Sequence, residues 1–108
     1  MRVTITARHT EIDNELRAQT RELLQRVLKV ARRPHHAQVT FGEDHGEVEA
    51  EIEVHVPRGR IYVAKAQAAD HRSALDVAIA RMKRQLLDRK ATPKTRRRAR
   101  RSGVSDTQ

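Results

Sequence analysis

Residues 47–56 read EVEAEIEVHV, ten positions in strict alternation between apolar and polar side chains. Val48, Ala50, Ile52, Val54 and Val56 fall in one phase, and Glu47, Glu49, Glu51, Glu53 and His55 in the other. A helix would scatter these two sets around its circumference, whereas a β-strand separates them cleanly onto two faces. The segment therefore predicts a strand with one buried face and one wet face. A sheet built from such strands can carry helices on one side only.

The flanking sequence supplies that sheet and those helices. RVTITA (residues 2–7) alternates Val3, Ile5 and Ala7 against Arg2, Thr4 and Thr6, and HAQVTFGE alternates Ala37, Val39 and Phe41. The loop GEDHG carries two glycines that permit positive φ, and Pro57, Arg58 and Gly59 form a second tight turn. In IYVAKAQA the phase is ambiguous. We expect Tyr62, Ala64, Ala66 and Ala68 to face inward, small enough for a helix to approach, in preference to Ile61 and Val63.

Two helices complete the pattern. Asp13 is the N-cap of the first, which runs from Asn14 to about Ala31 with Leu16, Leu23, Leu24, Val27 and Ala31 at helical spacing before Pro34 stops it. Asp70 caps the second, whose apolar stripe is Leu75, Ala78, Ile79, Met82 and Leu86; Thr92 and Pro93 end it. The order is β-α-β-β-β-α. The predicted fold class is an α+β two-layer sandwich, with two helices on one face of a four-stranded sheet and a parallel first pair of strands. A chain of 108 residues holds one domain, expected at residues 1–91. Residues 92–108 lack apolar periodicity and read as a basic, disordered tail.

Charge is sorted along this scaffold. Lys and Arg number 23 against 14 Asp and Glu, a net charge of +9. Six of the acids lie within residues 43–53, and no Lys or Arg occurs between Pro34 and Pro57. On the first helix Arg17, Arg21, Arg26 and Lys29 avoid the apolar arc; on the second Arg81, Arg84, Arg89 and Lys90 do the same or flank it. These eight side chains are the predicted RNA-binding residues. One-signed helices and an arginine run at Arg96, Arg97, Arg98, Arg100 and Arg101 point to a polyanionic partner, with nucleic acid ahead of a membrane surface. The glutamate face would keep the bare sheet soluble and repel a polyanion arriving backwards. Alternating Glu is also ordinary chemistry for an exposed strand. Only Phe41 and Tyr62 are aromatic, so recognition must rest on phosphates and shape rather than on base stacking.

Several classes are not expected. The absence of cysteine rules out disulfides and thiolate metal sites. No Walker loop, dinucleotide fingerprint, nucleophile elbow or zinc-protease motif occurs. The six histidines form no helical ligand pair, and an exposed row of glutamates has no burial to tune a general acid. We expect no catalysis, cofactor or small-molecule substrate. No apolar run suits a signal peptide or membrane span, so a cytoplasmic protein is expected.

Two segments resemble a known family. ITARHTEID (residues 5–13) is similar to the opening of ribosome-associated inhibitors and hibernation-promoting factors, and AKAQAADHRSALDVAIARMKRQL (residues 64–86) is similar to their alanine strand, Asp cap and closing R-Q-L. The resemblance covers about residues 1–90. It implies a fold similar to double-stranded-RNA-binding domains and a factor, without enzymatic activity, that binds the small ribosomal subunit. Such a factor contacts ribosomal RNA through its helices, blocks the tRNA and mRNA channel, and silences translation under stress. Arg17, Arg26 and Lys29 match basic positions of that family's first helix; Arg81 and Arg84 match those of its second, continued by Arg89 and Lys90. His71 and Arg72 stand where the family usually has an apolar residue and Tyr. The chain looks like a short form and is expected to be monomeric. The alternatives are a free-standing double-stranded-RNA binder and a protein adaptor that uses the outer edge of its sheet.

Overall fold

The computed structural model of the chain describes residues 2–31 and 33–88, together with the backbone of residues 94–95. The elements are β1 (Arg2–Arg8), α1 (Asn14–Leu28), β2 (His36–Asp44), β3 (Glu47–Val56), a 3-10 turn (Pro57–Gly59), β4 (Arg60–Ala68), α2 (His71–Leu87) and β5 (Lys94–Thr95). The strands lie side by side in sequence order. β1 and β2 run parallel, and every other pair is antiparallel. Strands β1–β4 and the two helices thus form the expected two-layer α+β fold.

β5 departs from the expectation for the tail: Lys94 and Thr95 pair with Ile61 and Arg60 along the outer edge of β4. Its residues carry no alternation that could have announced it, because the edge of β4 supplies the hydrogen-bonding template. The remainder of the tail (residues 96–108), with its expected disorder, lies outside the described residues, as do Arg89 and Lys90.

Pairing register assigns the faces. Val54, Ile52, Ala50 and Val48 of β3 stand opposite Tyr62, Ala64, Ala66 and Ala68 of β4, so the alanine phase faces inward as predicted. The same side takes Ala37, Val39 and Phe41 from β2 and Val3, Ile5 and Ala7 from β1. Leu24, Val27 and Leu28 of α1 and Ala74, Leu75, Ala78 and Met82 of α2 close over it, all buried. Thr20 is the one buried polar side chain among the described residues, and its hydroxyl is satisfied by donating to the Leu16 carbonyl at 2.7 Å.

Both helix starts follow the sequence. Asp13 accepts a hydrogen bond from the Leu16 amide at 2.7 Å, and Asp70 accepts from the Ser73 amide at 2.8 Å. α1 ends at Leu28, one turn short of the predicted Ala31. Past that point Val30 and Ala31 donate to Val27 and Leu28 at 3.1 Å, so the last turn tightens to three-residue bonds. Arg33, with φ of 53°, then turns the chain away before Pro34.

The β2–β3 turn is shorter than predicted. Gly42 is an ordinary residue of β2, and the reversal needs only His45 and Gly46, with φ of 54° and 82°. Two consecutive positive φ values are the signature of the two-residue turn that matches strand twist.

At the opposite end of the sheet the rings of His36 and His55 meet on the wet face, with centroids 5.0 Å apart and planes tilted by 37°. Arg2 and Thr4 of β1 flank them, Thr4 with its hydroxyl 3.4 Å from His36 Nε2; Glu53 and His35 complete the surroundings. Burial, then His55 and Arg2, hold the His36 pKa below its usual value of 6.5. The folded protein therefore binds fewer protons here than the unfolded chain, and stability rises with pH through this window. The His36 contribution is full above about pH 6.5 and is lost as pH falls through that value toward the lowered folded pKa. Urea midpoints measured from about pH 7 to 5 should drop for the native chain and drop less for His36→Gln.

Candidate nucleic-acid interface

The two helices present most of their basic side chains away from the sheet, but not all are equally available. On α1, Arg21 and Lys29 are exposed. Arg26 is paired with Glu22 one turn earlier, at 3.6 Å, with both side chains about two-thirds exposed. Such a pair adds little stability and can be exchanged for a phosphate. Arg17 is half-buried and points the other way: its Nη1 donates to the Ile5 carbonyl on β1 at 3.4 Å.

On α2, Arg84 is exposed beside Lys83, and with Ala80, Leu87 and Asp88 they line a shallow hollow on the last turns of the helix. Arg81 is committed to the sheet, with Nη1 donating to the Lys65 carbonyl of β4 at 2.6 Å. Gln85, one turn on, donates to the Val63 carbonyl at 2.7 Å. The sequence alone points Arg81 to RNA and gives no role to Gln85. Their spacing of four residues on the flank of the apolar stripe is the signal that could have paired them.

Of the six predicted residues within the described range, Arg21, Lys29 and Arg84 thus extend from the helices with no protein partner among the described residues. Arg26 has an exchangeable one, and Arg17 and Arg81 bond backbone at the two edges of the sheet. Lys83 joins the exposed set. Apolar side chains interrupt this surface at Val30, Val77 and Leu87.

The opposite face is more mixed than the sequence suggested. Register places Asp44, Glu47, Glu49, Glu51 and Glu53 there, but also Arg2 and Arg8 of β1 and Lys65 of β4. Lys65 lies 3.8 Å from Glu49, and His55 lies 3.3 Å from Glu53. Among the described residues no three His, Cys, Asp or Glu side chains are placed to hold a metal ion. No helix among them is long and apolar enough to cross a membrane.

At the start of α2, His71 keeps an aromatic contact despite its departure from the family pattern. Its ring meets Phe41 edge-on at 5.7 Å and its Nε2 lies 2.9 Å from the Thr10 hydroxyl. His71 therefore ties the loop after β1 to the beginning of α2, next to the Asp70 cap.

This architecture has counterparts. The N-terminal domain of Protein Y from Thermus thermophilus superposes with a TM-score of 0.68 at 25% identity, covering 80% of this chain and 96% of that one. A ribosomal subunit interface protein from Coxiella burnetii gives 0.73 at 21% identity, covering 85% and 100%. By sequence alone, no curated protein matches the chain. The profile of the family described as sigma 54 modulation protein / S30EA ribosomal protein, however, matches residues 3–94. With nearly the whole described fold inside that match, the chain belongs to the sigma 54 modulation protein / S30EA ribosomal protein family.

Proposed function

We propose that this protein is a ribosome hibernation factor that docks on the small ribosomal subunit by the outer faces of α1 and α2 and obstructs the tRNA and mRNA channel. The observation that carries this reading is the placement of Arg21, Lys29, Lys83 and Arg84 on one solvent-facing layer, with the carboxylates of β3 on the other side of the molecule. Family membership and a structural relative titled a ribosomal subunit interface protein support the choice of the ribosome as the polyanion. Binding acts by charge and shape, with no chemical step, no cofactor and no small-molecule substrate. A cytoplasmic monomer suffices for it. Arg89 and Lys90 are further RNA contacts in this reading.

The side chains divide into two kinds. Arg21, Lys29, Lys83 and Arg84 can each neutralise a phosphate and release its counterions without disturbing the fold. Arg17 and Arg81 must serve the sheet edge and RNA together. A guanidinium has five N–H donors, so one bond to a carbonyl leaves others to offer.

Affinity for purified small subunits should fall steeply with salt. With six to eight phosphate contacts, the log–log slope would lie between about −4 and −7, and a slope near zero would remove the electrostatic basis of the reading. A plain RNA duplex binding as tightly as the subunit would instead favour the free-standing double-stranded-RNA binder.

Substitution should separate the two kinds of arginine. Arg84→Gln should weaken subunit binding and flatten the salt slope by about 1 while leaving the urea midpoint unchanged. Arg81→Gln should weaken binding and also lower stability by about 1 kcal/mol through the lost carbonyl bond. Glu47→Lys, on the wet face, should leave subunit affinity at the native level; a loss there larger than that at Arg84 would put the sheet on the RNA.

A further inference from the structure

Charge is sorted along the strands as well as between the two faces. At one end of the sheet the paired residues read Arg2, His36, His55, Ile61 and Lys94 across the five strands. Both helices finish at this end. α1 leads back to the start of β2, and α2 runs against β4, with Arg81 bonded to Lys65 and then Gln85 to Val63. Arg2, Lys29, Arg33, Arg58 and Arg60 gather here, all exposed, and none forms an ion pair with a described residue. The other end holds the β2–β3 turn and the entry to α1, with Glu43, Asp44 and Glu47 on the first and Glu11, Asp13 and Glu15 on the second. β3 alone is ten residues long, so about 30 Å separates the two ends, against a screening length of about 8 Å. Each end therefore meets a charged partner independently of the other.

The backbone supplies a second observation. The chain approaches β2 through Arg33 at φ of 53° and turns out of β3 through Arg58 at φ of 71°. Left-handed backbone suits Gly and, less well, Asn or Asp, and it strains any longer side chain. Both connections at the basic end nevertheless hold an arginine there. Neither side chain is buried, and neither makes a hydrogen bond or ion pair with a described residue. Strain kept at an exposed residue without a structural bond points to a role in binding. The chain also leaves β5 at Thr95, opposite Arg60, and five of the next six residues in sequence are arginine.

We propose that this end of the sheet, with Arg33 and Arg58 at its two connections, is a second contact for the phosphate backbone of ribosomal RNA. The inference rests on the ribosome reading above and deepens it. A flat layer of basic helices decides which face meets RNA, but it leaves the direction of the long axis open. Attraction at Arg2, Arg33, Arg58 and Arg60, with carboxylates about 30 Å away at the other end, supplies that restraint. The protein then lies with this end against phosphate and the β2–β3 turn pointing away from it.

The test measures affinity for purified small subunits across a salt series, using the full chain. Arg33→Gln with Arg58→Gln should weaken binding and flatten the log–log slope by about 2, leaving the urea midpoint unchanged. Arg33→Lys with Arg58→Lys should keep the native slope, because charge rather than guanidinium shape is needed. Arg58→Gly relieves the left-handed strain, so it should raise the urea midpoint while still weakening binding. At the acidic end, Arg8→Gln with Arg72→Gln should leave the slope native. No loss from the glutamine pair at 33 and 58, an equal loss from the lysine pair, or an equal loss from the pair at 8 and 72 would overturn the proposal. Arg84→Gln separates this inference from its foundation. If Arg84→Gln flattens the slope and the pair at 33 and 58 does not, the second contact fails and the helical docking stands. If neither changes the slope, both fail.

Discussion

The pairing register of β3 decides what every other strand shows to water. β3 is bonded along both sides, to β2 and to β4, and its side chains alternate without a break. A slip of one residue would drive Glu49, Glu51 and Glu53 under the helices and leave Val48, Ala50, Ile52 and Val54 in solvent. Burying even one unpaired carboxylate costs several kcal/mol, so the alternative register has no competitive population. That margin explains why the turns at its two ends tolerate His45 and Arg58 at positive φ, 54° and 71°. Left-handed backbone costs a non-glycine residue roughly 1–2 kcal/mol, which the correct register outweighs.

With the strands fixed, the weak points of the sheet are its edges, and the chain closes them with side chains otherwise read as surface charge. Along β4 the outward carbonyls recur at every second residue. β5 pairs at Ile61, Gln85 covers Val63 and Arg81 covers Lys65. At the far edge Arg17 reaches the Ile5 carbonyl of β1. An uncovered edge is a template for another strand, and a charged side chain bonded to it is an effective obstruction. The helices therefore do more than roof the core. Their basic flanks protect the sheet, and only their outermost residues remain wholly available to a ligand. An adaptor that used a sheet edge would first have to displace these bonds.

The sequence disclosed what depends on period and local chemistry. Both helix caps, the inward alanine phase of β4, the single-sided helix layer and the parallel first pair all follow from alternation, Asp placement and chain order. It misjudged features decided by tertiary geometry. The end of α1 moved because its last residues hydrogen-bond as a tighter helix, which the apolar spacing up to Ala31 cannot reveal. The pairing of Arg81 and Gln85 with β4 depends on how far α2 sits from that strand. The mixed character of the wet face had a partial signal in Arg2, Thr4 and Thr6, which share a phase. Knowing that this phase lies beside the glutamates, however, requires the register of three strands.

That mixture changes what the glutamate row can do. Five carboxylates share their face with Arg2, Arg8 and Lys65, so the wet side is only weakly negative as a whole. The molecule is 21 Å through its thinnest dimension, whereas the screening length at physiological salt is about 8 Å. A phosphate at the outer face of α1 or α2 consequently feels Arg21, Lys29 and Arg84 and almost nothing of Glu49 or Glu53. Repulsion from the row cannot steer a partner already at the helices; it acts only on one that meets the sheet directly. In the proposed function, orientation on RNA rests on attraction to the helical layer, and the carboxylates act only at short range, as Glu49 does on Lys65.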